Sequence, residues 1–344
     1  MDVLKFLRPH IKSLKAYSSA RDEFSEVNTD LTFIDANENP FQTCVNRYPD
    51  PLQNKLKNEW SKYIDIPVDQ IMFGNGSDEV LDLIFRAFCI PEKDNVVILP
   101  PTYGMYEVLA QLNNIEVKKA ELDENFQPNV ASVLKQVNEN TKLLFICSPN
   151  NPSANNLNEN LIKDLITSFK GIIVIDEAYI DFSSQKSFVS YIDDYPNIIV
   201  TQTFSKAFGL AGIRLGICYG NPKIIDVFNK IKPPYNVNEL TQKKALERLK
   251  NIDDVQKEVE KIIEQREFLI KHLKTINCVT KVFSSDANFI LVRVDDANLR
   301  YNQLIDNGIV VRNRTTQPLC ENCLRFTVGT KSENLKLISI LKSF

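Results

Sequence analysis

Short apolar runs alternate with helical patterns along the first two thirds of the chain. The runs that predict buried strands are IMF (71–73), NVVIL (95–99), KLLFIC (142–147), GIIVI (171–175) and NIIVT (197–201). Strands that alternate with helices are typical of βα units, which form a largely parallel sheet. The pattern therefore predicts an α/β fold with helices on both faces of the sheet.

The pattern changes after KPPYN (232–236). Apolar residues then recur in steps of three and four from Ala245 to Ile262, and the pattern is broken at Arg266. This is too short for a coiled coil and predicts a helix that packs on the core. Three further strands of a smaller α+β domain are predicted at NFILVRV (288–294), GIVVRN (308–313) and CLRFTVG (323–329).

The chain length favours two domains that share a crevice. The predicted boundary lies near Pro233 and Pro234. The predicted parts are an N-terminal arm (residues 1–30), a large domain (31–236) and a small C-terminal domain (237–344).

Polar clusters follow the predicted strands of the large domain. They are GNGSDE (74–79), PPTYGMY (100–106), SPNNPSAN (148–155), DEAYIDF (176–182) and QTFSKAFG (202–209). In open α/β sheets, ligands bind outside the carboxyl ends of the strands. The five loops therefore predict one binding crevice.

Charge and composition exclude several classes of function. The 344 residues carry 41 basic and 44 acidic side chains, a formal charge of −3, without a block of like charge. This argues against nucleic acid or an anionic membrane as a partner. The N-terminus lacks a signal-peptide pattern, and no apolar run approaches the roughly 18 residues of a membrane span. We therefore expect a cytoplasmic protein.

Cysteine and histidine usage argues against a metal site. The seven cysteines are an odd number and are expected to be reduced thiols. Cys320 and Cys323 form a lone CxxC without further ligands nearby, which favours a structural or incidental role. The two histidines are His10 and His272, and the latter is expected at an exposed helix position. A histidine-dependent triad is therefore not expected.

The loop GNGSDE joins a predicted strand to a predicted helix. Free N–H groups at a helix N-terminus bind anions, and Ser77 is a potential helix cap. A plain βα turn with a capped helix would have the same sequence, so both interpretations stay open for this loop taken alone.

Asp176 follows four aliphatic residues and is expected at the mouth of a buried strand. A carboxylate there requires a partner, and a protonated ring nitrogen is one candidate. Tyr179 lies three residues further on and is expected to reach the same ligand. The alternative for Asp176 is capping of the next helix.

Lys206 lies in the loop after a strand, between Thr203 and Arg214. A lysine forms a Schiff base when its amine is neutral, and burial and cationic neighbours favour the neutral form. The alternative is an exposed lysine without a role. A Schiff-base lysine, a carboxylate for a pyridinium nitrogen and a phosphate cradle together indicate pyridoxal phosphate.

With these motifs the chain resembles the fold-type I aminotransferases and, within them, the histidinol-phosphate aminotransferases. The motifs that carry the resemblance are NENP (37–40), RYPDP (47–51), GNGSDE (74–79), PPTYGMY (100–106), SPNNP (148–152), VIDEAY (174–179), SKAFGLAGIRLG (205–216) and LRFTVGT (324–330). They follow the order of the family and cover nearly the whole chain.

The resemblance implies roles around pyridoxal 5'-phosphate. Lys206 looks like the lysine that binds the cofactor and shuttles the proton. Asp176 would pair with the pyridine nitrogen, Asn151 and Tyr179 would bind the phenolic oxygen, and Tyr103 would stack on the ring. The residues implied for the cofactor phosphate are Gly76, Ser77, Asp78, Thr203, Ser205, Arg214 and Tyr48. In the family this last tyrosine comes from the second subunit, which implies a homodimer.

The resemblance also implies a substrate site. Arg325 looks like the arginine that binds the carboxylate of glutamate, and Arg312, Arg325 and Tyr17 resemble the set that binds the substrate phosphate. Asn39 lines the same region in the family. A surface salt bridge is the alternative for these arginines. One departure is NPSA (151–154) in place of the frequent NPTG, which is tolerated if the turn needs no positive φ.

The implied activity is transamination between L-histidinol phosphate and 2-oxoglutarate, a step of histidine biosynthesis. Two alternatives keep the cofactor: decarboxylation of phosphothreonine and transamination of an aromatic amino acid. A non-catalytic regulatory protein with this fold is a third alternative, which the retention of Lys206, Asp176 and Arg214 disfavours.

Overall fold

The computed structural model describes residues 2–15 and 32–344. The helices of this part are α1 (Pro9–Lys12), α2 (Asn54–Ile64), α3 (Ser77–Phe88), α4 (Met105–Leu112), α5 (Val130–Lys135), α6 (Glu159–Ser168), α7 (Pro222–Ile231), α8 (Glu239–Leu249), α9 (Ile252–Leu273), α10 (Ala297–Asp306) and α11 (Lys331–Lys342). Short 3-10 helices span Val3–Phe6, Val68–Gln70, Ile180–Phe182, Phe188–Tyr191 and Ala211–Ile213.

The strands form two separate sheets. They are β1 (Ile71–Asn75), β2 (Asn95–Ile98), β3 (Glu116–Lys119), β4 (Thr141–Cys147), β5 (Ile172–Asp176), β6 (Ile198–Thr203), β7 (Leu215–Gly220), β8 (Val279–Val282), β9 (Phe289–Val294), β10 (Arg312–Asn313) and β11 (Cys323–Thr327). The large sheet has the order β1-β7-β6-β5-β4-β2-β3, and the small sheet has the order β10-β11-β9-β8.

The large sheet is mostly parallel, because only β7 runs against its neighbours β1 and β6. Its central strands are buried along almost their whole length, since helices cover both faces. Continuous apolar runs are typical of strands in this position. The predicted α/β class is thus confirmed. The small sheet is antiparallel throughout and packs with α9 and α10, and α11 packs on α9, as predicted for an α+β unit.

Three strands were not predicted from the sequence. β3 is a polar edge strand with the sequence EVKK, and β8 is a half-exposed strand of the small sheet, so neither has a continuous apolar run. β7 reads LGICYG, and its two glycines obscure the strand pattern. The run GIVVRN forms a strand only over Arg312–Asn313. The predicted domain limits remain a prediction.

The predicted long helix after residue 236 is two helices, α8 and α9, that meet at residues 250–251. Arg266, which breaks the apolar pattern, lies within α9. Its side chain is buried, and Nη1 donates to the carbonyl oxygens of Phe182 at 3.1 Å and Ala287 at 3.0 Å. Arg266 therefore ties α9 to the loop after β5 and to the loop before β9.

The single tryptophan of the chain lies beneath the loop that follows β6. Trp60 is buried on α2, and its Nε1 donates to the Tyr219 hydroxyl at 2.8 Å. Its ring packs against Phe204 and Phe208, at centroid distances of 4.9 and 5.4 Å. Among the helices that the structure describes, none has the length and apolar character needed to cross a bilayer.

Candidate functional site

The carboxyl ends of the parallel strands meet at one edge of the large sheet. Cys147, Asp176 and Thr203 end the neighbouring strands β4, β5 and β6. The loops beyond them enclose what we call the strand-end cavity. It is lined by Ser77, Asp78, Tyr103, Cys147, Asn151, Asp176, Ala178, Tyr179, Thr203, Ser205, Lys206, Ala211 and Arg214. Ten of the twelve residues predicted to bind the cofactor are in this set, and the other two are Gly76 and Tyr48.

Lys206 points toward the aromatic wall of the cavity. The side chain is half-buried, and Nζ lies 5.7 Å from the centroid of the Tyr179 ring. Burial lowers the pKa of Lys206, and the nearby charges of Arg325 and Arg214 lower it further, against the opposing effect of Asp176. The neutral amine that a Schiff base requires is thereby favoured. The alternative of an exposed lysine is wrong.

Asp176 is buried at the end of β5. Its Oδ2 accepts a hydrogen bond from the Tyr106 hydroxyl at 2.7 Å, and its Oδ1 accepts one from the backbone N–H of Ala178 at 3.2 Å. Burial raises the pKa of Asp176 against the effect of these bonds. Only a 3-10 turn follows, at Ile180–Phe182, so Asp176 caps no α-helix. Tyr106 was missed, although it lies one helical turn after Tyr103 in PPTYGMY.

The N-terminus of α3 has no side-chain cap. Gly76 is the N-cap residue, and Ser77 is the first residue of the helix, so the expectation that Ser77 caps it is wrong. The absence of a cap leaves the first backbone N–H groups of α3 available to an anion.

Two glycines bring this helix end close to β7. A Cβ atom at Gly216 would lie 2.3 Å from the carbonyl carbon of Gly76 and 2.3 Å from the backbone nitrogen of Ser77. Gly76 itself has a φ of +80°, and a Cβ there would lie 2.7 Å from Nη2 of Arg214. A side chain at Gly216 would therefore clash with the backbone of the helix end, and one at Gly76 would displace the Arg214 guanidinium.

Polar side chains surround the same helix end. Asp78 accepts a hydrogen bond from the Tyr103 hydroxyl at 3.2 Å and forms an ion pair with Arg214 at 3.4 Å. The Thr203 hydroxyl donates to Ser205 Oγ at 2.9 Å. Cations, hydroxyls and free N–H groups together make a suitable environment for a phosphate.

Asn151 connects the cavity to the small sheet. Its Oδ1 accepts a hydrogen bond from Nη1 of Arg325 at 2.5 Å, so its Nδ2 amide is the group available as a donor toward a ligand. Arg325 also lies over the Phe289 ring, at 5.0 Å, and that ring contacts Tyr179 at 4.9 Å between centroids. Sequence reasoning missed Phe289, because it lies in an ordinary apolar strand pattern.

The arginines of the small sheet lie on adjacent strands. The Cα atoms of Arg312 and Arg325 are direct partners in the antiparallel register of β10 and β11. Arg314 continues this ladder, since its backbone N–H donates to the carbonyl oxygen of Cys323 at 2.8 Å. Directly opposed residues share a face of the sheet, as do residues two apart in a strand. We call Arg312, Arg314 and Arg325 the arginine face.

Several predicted residues do not enter the cavity of their own chain. Tyr48 is half-exposed and stacks on Tyr235 at 4.6 Å, and Asn39 is exposed, with Oδ1 accepting from the backbone N–H of Phe41. Arg312 is exposed on the small sheet. Tyr17 lies outside the residues that the structure describes.

Two further expectations are corrected by the structure. Ala154, in NPSA, has a φ of 70°, so the turn does need the left-handed conformation and alanine adopts it there at a cost of roughly 1 kcal/mol. His272 is half-buried, and its Nδ1 lies 2.8 Å from the carbonyl oxygen of Phe268.

Cys320 and Cys323 are buried free thiols at a turn. Within residues 2–15 and 32–344, no cluster of three or more potential ligands is placed to hold a metal ion.

Comparison with known proteins gives a consistent result. Residues 32–341 match the family model "Aminotransferase class I and II". A histidinol-phosphate aminotransferase from Flavobacterium johnsoniae is 60% identical over 342 residues, which cover 99% of this chain and 98% of that protein.

Two solved structures share the fold. The histidinol-phosphate aminotransferase from Clostridium acetobutylicum is similar with a TM-score of 0.80 and 26% identity, covering 87% of this chain and 90% of that one. The enzyme of the same name from Sinorhizobium meliloti, solved in complex with pyridoxal-5'-phosphate, has a TM-score of 0.79 and 22% identity over 86% of this chain and 82% of that one.

Proposed function

Because this chain belongs to the class I and II aminotransferases, we propose that it transfers the amino group of L-histidinol phosphate to 2-oxoglutarate. The products are imidazole acetol phosphate and L-glutamate, and the cofactor is pyridoxal 5'-phosphate. The observation that carries the proposal is the strand-end cavity, in which Lys206, Asp176 and the uncapped end of α3 lie together. The substrate rests on full-length relatives such as the F. johnsoniae enzyme.

The residues present fit this cofactor. Asp176 is a buried carboxylate whose pKa is raised by burial, and its hydrogen bonds come from neutral donors. A protonated pyridine nitrogen would supply the missing positive charge. The uncapped end of α3 suits the cofactor phosphate, and Gly216 lets β7 pack closely against the backbone of that helix end.

Each wall of the cavity has a proposed task. Asp176 pairs with the ring nitrogen, Tyr103 covers one face of the ring, and Asn151 and Tyr179 donate to its phenolic oxygen. The phosphate is held by Gly76, Ser77, Asp78, Thr203, Ser205 and Arg214, with Tyr48 supplied by a second subunit. The Asp78 carboxylate pairs with Arg214, and its backbone N–H at the start of α3 would be available to the phosphate.

When bound, pyridoxal phosphate withdraws electrons from the carbon that bears the substrate amine, which makes its proton removable. Lys206 Nζ would hold the cofactor and would be released when the substrate amine binds. The free amine would then take the proton from the substrate carbon as general base and deliver it to the cofactor as general acid, so that the amino group stays with the cofactor. Its lowered pKa suits this task, because a larger fraction of the amine is then neutral and able to accept a proton.

The proposal is tested by the absorbance spectrum of the purified holoenzyme. Addition of L-histidinol phosphate is expected to bleach the visible band of the lysine-bound cofactor, and 2-oxoglutarate is expected to restore it. The unphosphorylated donor L-histidinol serves as the matched comparison. A band that does not respond to L-histidinol phosphate would contradict the substrate assignment.

The alternative chemistries give different readouts in the same preparation. Release of carbon dioxide from O-phosphothreonine would identify a decarboxylase, and faster turnover of phenylalanine would identify an aromatic aminotransferase. The 60% identity to a histidinol-phosphate aminotransferase over nearly the full chain favours neither of them.

The proposal includes a homodimer with composite sites. Apolar side chains are exposed on the segment that carries Tyr48, with 92% of Ile34 and 77% of Phe41 accessible, and Leu240 of α8 is 64% accessible. A second copy of the chain would cover this surface and bring its Tyr48 to the cofactor phosphate.

A mixing experiment tests the composite site. Lys206→Ala and Tyr48→Ala homodimers are expected to be impaired, and mixed dimers are expected to regain one intact site. Light scattering should give the mass of a dimer. A monomer, or mixtures without recovered activity, would overturn this part of the proposal.

We also propose a cytoplasmic location, which the free cysteines among the described residues support.

A further inference from the structure

The arginine face carries positive charge that the described part of the chain does not balance. Within residues 2–15 and 32–344, none of Arg312, Arg314 and Arg325 has a carboxylate oxygen within 4.0 Å. Other arginines of the same region are paired, since Arg293 contacts Glu321 and Arg300 contacts Asp295. Among the described arginines of the small sheet and α10, those without a carboxylate partner are the three of the arginine face.

Burial makes the imbalance more costly. Arg314 and Arg325 are half-buried, and the Nε atom of each is buried without a hydrogen-bond partner. Burial lowers the pKa of both guanidinium groups, and the charge of Arg312 lowers each further. Buried cations that repel one another need an anion to offset the unfavourable interaction.

The position of Arg314 shows where that anion would lie. Arg314 is on the same face as Arg325, which reaches the cavity through Asn151. Both arginines act electrostatically on the Tyr179 hydroxyl, whose ring lines the cavity beside Lys206. An anion bound between Arg314 and Arg325 would therefore lie on the side of the strand-end cavity that carries Tyr179 and Lys206.

We propose that Arg314 is a third arginine of the substrate-anion site and that it selects a phosphate monoester over a carboxylate. A phosphate monoester carries a charge of about −1.5 to −2 and three acceptor oxygens, whereas a carboxylate carries one charge and two oxygens. Three guanidinium groups on one face match the phosphate in both respects. This inference rests on the proposed function and adds a specificity-determining residue to it.

The test compares two donors that differ only in the phosphate. Half-reactions of the holoenzyme with L-histidinol phosphate and with L-histidinol are followed by the cofactor absorbance. Arg314→Gln is expected to lower kcat/KM for the phosphorylated donor about 10- to 100-fold, as for loss of a charged hydrogen bond, mainly through KM. The value for L-histidinol is expected to change less than about threefold, because that donor lacks the group that Arg314 binds.

Two further variants separate binding from structure. Arg314→Lys keeps the charge without the planar fork and is expected to recover part of the preference. Arg300→Gln removes an arginine of α10 that is paired with Asp295 and is expected to leave the preference unchanged.

An equal loss for both donors in Arg314→Gln, or no loss for either, would overturn the inference. If the wild-type enzyme itself does not prefer L-histidinol phosphate to L-histidinol, the proposed function fails. A wild-type preference that survives in Arg314→Gln refutes the role of Arg314 alone.

Discussion

The strand-end cavity and the arginine face balance their charges differently. In the cavity, Arg214 pairs with Asp78, and Asp176 receives hydrogen bonds from Tyr106 and a backbone N–H. On the arginine face, the described part of the chain provides no carboxylate for any of the three guanidinium groups. The charges of the cavity suit a permanently bound ligand, and those of the arginine face suit an anion that binds and dissociates.

The comparison explains how one crevice could bind a cofactor phosphate and a substrate phosphate at separate sites. The cofactor phosphate would be bound mainly by backbone N–H groups and hydroxyls at the end of α3, which suit a permanent ligand. The substrate phosphate would be bound by side-chain cations. These cations attract the anion when it is present and repel one another when it is absent.

The largest expected effect is at Lys206. Lys206→Ala is expected to lower turnover by about 10³-fold, because the general base is removed. Equilibrium dialysis should still detect bound cofactor, since the phosphate contacts remain. Lys257→Ala, at an exposed position on α9, is the control. Near-normal turnover in Lys206→Ala would contradict the assignment of the base.

The second largest effect is expected at Asp176, the buried carboxylate of the cavity. Asp176→Asn is expected to lower kcat about 10²-fold, because the carboxylate that stabilises the protonated ring is lost. Asparagine can still accept the hydrogen bond of Tyr106. An unchanged kcat would show that the ring nitrogen does not depend on Asp176.

The same variant is expected to stabilise the apoprotein. The folded-state pKa of Asp176 is raised above its unfolded value, so the charged carboxylate destabilises the fold above the unfolded pKa, and this effect disappears as the pH falls below it. Asp176→Asn should therefore raise the Tm of the apoprotein at pH 8 and have little effect near pH 4. A lower Tm at pH 8 would contradict this reasoning.

The next experiment measures how the charge of Arg325, on the arginine face, affects Lys206 in the cavity. Arg325 lowers the pKa of Lys206, after the larger effect of burial. Arg325→Gln is expected to raise that pKa, so that at a given pH a smaller fraction of the amine is neutral. The pH profile for cofactor incorporation into the apoprotein should then move to higher pH. Arg312→Gln is the matched control, and equal shifts in both variants would argue against a direct effect.

The smallest effect on activity is expected at Arg266, which ties α9 to the loops after β5 and before β9. Arg266→Met removes the donor to the carbonyl oxygens of Phe182 and Ala287. The loss of these buried bonds should reduce the free energy of unfolding by about 2–3 kcal/mol. Activity toward the phosphorylated donor should fall only a few-fold, and cofactor affinity should stay constant. Denaturant titration and dialysis provide both measurements.

The cavity was far more predictable than the arginine face. Its residues lie at or just after the ends of apolar strands, and the sheet topology brings Asp176, Thr203 and Asn151 to one edge. The arginine face depends on the register between β10 and β11, which a two-residue strand does not reveal in the sequence. The sequence alone therefore does not single out Arg314.

Other details were missed because tertiary contacts decide them. Tyr106 reads as a helix residue until the Asp176 carboxylate is placed beside it. Arg266 reads as a break in an apolar pattern until two backbone carbonyl oxygens meet its guanidinium group. The free end of α3 depends on the close approach of Gly216. In each case the local pattern is correct, but the partner is distant in sequence.

The position of Trp60 gives the protein an internal optical probe. This single tryptophan packs against Phe204 and Phe208, which flank Lys206 in the chain. Its emission overlaps the absorption of a cofactor attached to Lys206, so resonance energy transfer should quench the fluorescence of the holoenzyme. Cofactor occupancy and turnover can therefore be followed in unlabelled protein, without any substitution in the site.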